Sequence, residues 1–225
     1  MKQLKERKSF PFMQLLPLGA ILGPIIFTLT WFILGFISTG YTIYNVRIEP
    51  YSVITQPISG LGMGSTALFM NSSFILSGIL LLIGIIGIFH SLRGIGQTLM
   101  RRLCMILFIL SPIGLVICGI FNLEATFMHS IGFLLSTGTT ILSFLTAGLY
   151  LRQIPGWKTL GKGLLIGSPL TLILFILFFL NFDPIASGEG RGIAGIYSRL
   201  LAIEVLIWFV IMGWLSFKRA HHTRS

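Results

Sequence analysis

Acidic side chains are scarce in this chain: its 225 residues include only six aspartates and glutamates. Charged residues of both signs make up 10% of the total, against 54% hydrophobic residues, where a soluble domain carries about 25% charge. That shortage excludes a water-soluble fold and makes the chain a polytopic membrane protein. Cysteine is nearly absent. Cys104 and Cys118 fall in one expected helix, about 21 Å apart at ~1.5 Å per residue, so they cannot bridge each other. Both read as small core residues. Several motifs are missing as well. No helix carries two histidines around a glutamate, and no glycine loop ends in Lys-Ser or Lys-Thr to cradle a phosphate. Gly-x-Ser-x-Gly, the mark of a serine nucleophile elbow, is absent.

What the chain has is six long apolar runs: Met13–Ser38, Ala67–Phe89, Leu103–Phe121, His129–Leu151, Gly163–Asn181 and Ile196–Phe217. Each is about 19–26 residues, enough to cross a hydrocarbon core of ~30 Å as a helix. The expected fold class is an all-α, six-helix transmembrane bundle forming a single domain over residues 1–225. The first run is too long for the apolar region of a signal peptide, so it reads as a retained helix. Pro17, Pro24 and Pro112 should bend their helices or mark a first turn. No internal repeat of the inverted-transporter kind stands out.

The formal net charge is +10. The bases collect in the N-terminal segment, the second and fourth connections and the C-terminal tail. The first, third and fifth connections hold few bases and most of the acids. This alternation is a topology signal with anionic-lipid contact, and it does not call for nucleic acid. By the positive-inside rule both termini are cytoplasmic, in a cell-membrane protein whose partners are membrane lipids.

The one long connection, Thr39 to Thr66, carries tyrosines and the run Gln56-Pro57-Ile58-Ser59-Gly60-Leu61-Gly62-Met63-Gly64. An ordered loop of this length is usually functional, and it can dip onto the bundle where protein covers it. With that topology Ser59, Asn71, Asn122, Glu124, His129, Asp183, Arg199 and Glu204 all fall in the non-cytoplasmic half. A polar, outward-facing pocket capped by the long loop, over a packed inner plug, is the expectation. A charge at mid-helix costs about 2.5–3.5 kcal/mol on insertion scales. Arg199 and Glu204 lie about 140° apart around one helix at ~100° per residue, so each should look to another element. His129 is the expected partner of Glu204; Asp183, Glu189 or Glu124 is that of Arg199. A catalytic zinc needs three protein ligands, and His129 is the one histidine on this side, so no metal is expected. Haem usually needs facing histidines, and His90 and His129 fall on opposite sides, so no cofactor is expected either.

At Gln56-Pro57-Ile58-Ser59-Gly60-Leu61-Gly62 the chain resembles a bacterial and archaeal membrane family, domain of unknown function 998. Asn71, Gly119-Ile120-Phe121, His129 and Arg199 fit the same pattern, and the resemblance covers nearly the whole chain. Members commonly have an acid after the motif serine and an aspartate after the third helix, where this chain has Gly60 and Glu124. The first departure weakens a catalytic or ion-binding pair at Ser59. The family is also distantly similar to eukaryotic membrane proteins of the DRAM and Frag type, some linked to lipid handling. The resemblance implies a six-helix fold and supplies no activity.

Three functions fit these residues. The first is a membrane protein that binds or moves a small molecule or lipid through the pocket. The second is an intramembrane enzyme on a lipid-like substrate, with Glu204 and His129 as acid and base. The third is a structural or assembly protein. It would dock through the small-residue seam of helix four, Gly132, Ser136, Thr140 and Gly148.

Overall fold

The computed structural model describes residues 11–183 and 191–222. The basic segment 1–9, Glu189 and the end of the tail, 223–225, lie outside the described residues. Six helices are long and apolar enough to cross a membrane. Backbone groups in hydrocarbon have no water to bond, so each apolar run closes its own N–H and C=O groups as a helix. A helical turn, Pro11–Leu15, and a 3-10 turn, Leu16–Leu18, lead into α1 (Gly19–Ile37). Then come α2 (Ala67–Ser91), α3 (Thr98–Ile120) and α4, which spans Thr126–Leu151 with a π-helical turn at Leu134–Gly138. The last two are α5 (Lys158–Asn181) and α6 (Ala194–His222).

Several helices outrun the apolar segments that announce them. Helix α3 begins at Thr98 and takes in Arg101 and Arg102, α5 takes in Lys158 and Lys162, and α6 runs past Lys218. Hydropathy marks where hydrocarbon ends. A helix continues until its sequence stops it, and long basic side chains can reach the headgroups from there.

Consecutive helices pack side by side, and α6 closes the ring against α1 while also touching α2. Glycines let the backbones meet. A Cβ at Gly84 on α2 would collide with the Ala20 backbone of α1, and one at Gly114 on α3 with the Ser136 backbone of α4. The small residues of α4 are used up in this way. Gly132 lies on Cys118 of α3, and Gly148 on Leu165 and Gly161 of α5. The seam therefore packs inside the bundle and is not a face for another protein.

The first and last described segments meet at one end of the bundle, where Gly213 of α6 packs on Pro17 and Arg219 covers the ring of Trp157. Above this basic end four fully buried phenylalanines fill the middle. Phe108 lies 5.6 Å from Phe89, 5.9 Å from Phe144 and 5.5 Å from Phe209, centroid to centroid. They come from α2, α3, α4 and α6.

The opposite end is built by the long connection. It opens with a hairpin of β1 (Tyr41–Ile43) and β2 (Val46–Ile48), antiparallel with Tyr41 opposite Ile48. Its two-residue turn, Tyr44-Asn45, has φ of 49° and 64°. Positive φ at both central positions matches the twist of the strands, and Asn tolerates it well. Tyr41, Ile43 and Ile48 face inward and are buried. The chain then forms a 3-10 segment, Ile58–Gly62, that lies over the bundle.

Candidate functional site

Arg199, in the second turn of α6, holds the long connection to the bundle. Its Nη1 donates to the carbonyls of Val53 (2.8 Å), Gln56 (3.0 Å) and Gly195 (2.8 Å), and Nη2 donates to the Tyr51 hydroxyl at 2.8 Å. The guanidinium also lies over the rings of Trp31 and Tyr51, 5.6 and 5.9 Å from their centroids. Tyr51 passes the interaction on by donating to Pro57 O at 3.1 Å. Burial pushes the Tyr51 phenol above its ordinary range although the Arg199 charge pulls it down, so it stays a donor. Ile58 N donates to Ser198 Oγ at 3.2 Å, and Ile196 N to Ile54 O at 3.1 Å. The start of α6 thus binds the loop at every turn. Among the described residues, neither of the expected carboxylate partners Asp183 and Glu124 takes this place. Carbonyl dipoles do, while Asp183 and Glu124 stand exposed at helix ends.

Asn71 secures the other side of the cap. Its Nδ2 donates to Gly62 O at 3.1 Å, and its Oδ1 occupies the space a Cβ on Gly62 would need. This explains why the connection needs glycine there. Asn122 turns inward on its own loop, where Oδ1 accepts from Glu124 N at 3.1 Å.

Under the cap lies a cavity reached by side chains from all six helices. Phe27, Phe74, Leu115, Leu201, Val205 and Leu206 supply apolar walls, and Ser59 and His129 stand toward the cap. Most of its hydroxyls are already committed. Ser111 Oγ donates to Ser136 O (2.7 Å), while Ser136 Oγ (3.0 Å) and Thr137 Oγ1 (2.8 Å) both donate to Phe133 O. The π turn of α4 carries two of these residues, Ser136 and Thr137, into the wall. A second cavity adjoins the first. Ser59, His129, Phe133 and Phe178 border both, and Tyr44, Thr126, Phe179 and Phe182 are among the other residues lining the second.

His129 is 7% exposed, and its Nδ1 lies 2.7 Å from Phe121 O. A carbonyl only accepts, so Nδ1 carries the proton and the neutral ring offers Nε2 as an acceptor. Among the described residues neither Nε2 nor Ser59 Oγ has a hydrogen bond.

Glu204 is buried but does not line either cavity. It sits in the seam between α5 and α6, where Oε2 accepts from Thr171 at 2.6 Å and Oε1 from Trp208 Nε1 at 2.7 Å. The expected Glu204–His129 pair is therefore not assembled: each is hydrogen-bonded elsewhere. Of the residues singled out by sequence, the structure brings Ser59 and His129 together at the cavities. Arg199 and Asn71 hold the cap, and Asn122, Glu124 and Asp183 lie at the rim. Ser198 and the π turn went unnoticed in the sequence, and Tyr51 was read only as one of the interfacial loop tyrosines. Tyr51 at a helix-free position near Arg199's end of the bundle was a usable signal; the π turn left none.

The six-helix ring, the loop cap and the cavity beneath it define a multi-pass membrane protein with an internal cavity. A family model described as Protein of unknown function (DUF998) matches residues 21–215, and the chain belongs to this family. No curated protein and no solved structure matches it.

Proposed function

We propose that this protein binds a small amphiphile, a lipid or a lipid-like molecule, in the capped central cavity, and that the cavity faces the non-cytoplasmic side. The observation that carries this is the division of the cavity lining. Its walls are apolar or have hydroxyls turned onto backbone carbonyls, and uncommitted polar atoms remain only near the cap. Pockets of this make-up, mostly apolar with a few placed polar groups, hold amphiphilic ligands. The crowding of bases such as Arg101, Arg102, Arg152 and Lys158 at the end opposite the hairpin supports the orientation. Acid–base catalysis by Glu204 and His129 finds no support in their hydrogen bonds.

The test is photolabelling in nanodiscs with a monoalkyl glycerol ether carrying a diazirine at its chain end. Label is expected on cavity residues such as Leu115 and Val205. Filling the cavity with Ala202→Trp should abolish that label while thermal stability and helicity are kept. Label confined to lipid-exposed side chains such as Phe36 and Leu170 would overturn the proposal.

A further inference from the structure

The junction of the two cavities says more about the ligand, on the reading that the inner cavity holds an alkyl chain. We infer that His129 Nε2 and Ser59 Oγ form a headgroup subsite for a hydrogen-bond donor, such as a hydroxyl, and that the ligand enters sideways between α4 and α5.

The chemistry of the subsite follows from what is already bonded. Phe121 O fixes the proton of His129 on Nδ1, so Nε2 presents a lone pair. A ligand hydroxyl can donate to that lone pair. Ser59 supplies a hydroxyl that can accept or donate beside it, since both residues border both cavities. A head with only acceptors, such as an ether, meets Nε2 acceptor against acceptor.

The route follows from how α4 and α5 meet. Toward the basic end they touch backbone to backbone, with Gly148 on Gly161 O and Ser168 Oγ donating to Ile141 O at 2.8 Å. Toward the hairpin end the space between them is filled by rings. Phe133 lies 5.8 Å from Phe175, 5.1 Å from Phe178 and 5.8 Å from Phe179, and Phe178 stacks on Phe182 at 5.1 Å. Phe179 is 51% exposed. Rings with no backbone clamp between them can turn aside for a chain. Tyr44, at the tip of the hairpin, hydrogen-bonds Thr126 at the start of α4 and lines the second cavity with Phe179 and Phe182.

The experiment compares two probes in nanodiscs, each with a diazirine at the chain end. One is the monoalkyl glycerol ether, and the other is its dimethylated form, which has no donor. The protein is the full chain and His129→Asn. The asparagine amide can take over the Nδ1 bond to Phe121 O but offers nothing at Nε2. The unmethylated probe is expected to label cavity residues at least tenfold more strongly than the methylated one, and this preference should vanish in His129→Asn. His129→Gln, whose amide reaches the Nε2 position, should retain part of it. Phe178→Trp should slow labelling by both probes alike without changing the preference. Equal labelling of the cavity by both probes overturns the headgroup subsite and leaves the cavity proposal standing. Unchanged labelling rates in Phe178→Trp overturn the lateral route. Absence of cavity label with both probes overturns the cavity reading itself, and the subsite with it.

Discussion

The two ends of the bundle solve the problem of burial in opposite ways. Toward the basic end, the centre is filled by Phe89, Phe108, Phe144 and Phe209, all fully buried. There the four rings pack on one another. At the hairpin end, the helices stand around empty space and a loop closes them. That loop is fixed by one cation, Arg199, through carbonyls and a phenol. Close packing gives the first end a single rigid arrangement. The second end is held by a few hydrogen bonds, the kind of region that opens locally before the rest.

The largest effect should come from breaking the filled end. Phe108→Ala removes a ring that touches three others and should cost about 3–5 kcal/mol, as for buried phenylalanines generally. Thermal unfolding in detergent checks it. Phe178→Ala, beside space that already exists, should cost less than half as much. Equal losses would erase the distinction between the ends.

Next comes the cation. Arg199→Met strips four oxygens of their donor; hydrogen bonds to charged groups are worth about 1.5–3 kcal/mol. The loss should appear as faster hydrogen exchange confined to the loop at residues 51–62, with the phenylalanine end unchanged. Arg199→Lys should rescue only part of it, since an ammonium is a point charge without the planar fork.

Glu204 sharpens the comparison from a third place, the α5–α6 seam. Glu204→Gln keeps an acceptor for Trp208 and a polar partner for Thr171, so stability should change by less than about 1 kcal/mol. Glu204→Leu leaves the Trp208 N–H without its partner and should cost about 1–3 kcal/mol. Chemical denaturation of the pair of variants checks this.

The smallest effect is alkaline. Burial raises the Tyr51 phenol in the fold, above its unfolded value of about 10. Its contribution is complete below that pH and is lost as pH climbs through the folded value. Tyr51→Phe should flatten this alkaline fall in cap stability and remove one late step from the tyrosinate absorbance.

Hydrophobic run lengths alone gave the number, order and class of the spans, because a bilayer leaves the backbone no alternative to the helix. Their ends were less visible, since Arg101, Lys158 and Lys218 sit inside helices but outside the apolar runs. At the site, the sequence showed that Arg199 and Glu204 need partners but not which. Arg199 is answered by main-chain oxygens, which every residue possesses and no composition reveals. Glu204 finds Trp208 four residues on, a facing position on any helix, and Thr171 from α5. The hairpin was hidden in a loop read only as irregular, although Asn45 between two β-branched stretches marks a tight turn.

The π turn of α4 has a consequence for ancestry and engineering alike. One residue more per turn sets the phase of everything before Leu134 against everything after Gly138. Excising a single residue from that turn would leave a regular helix of nearly the same length. It would also rotate His129 by about 100° about the helix axis, away from Ser59.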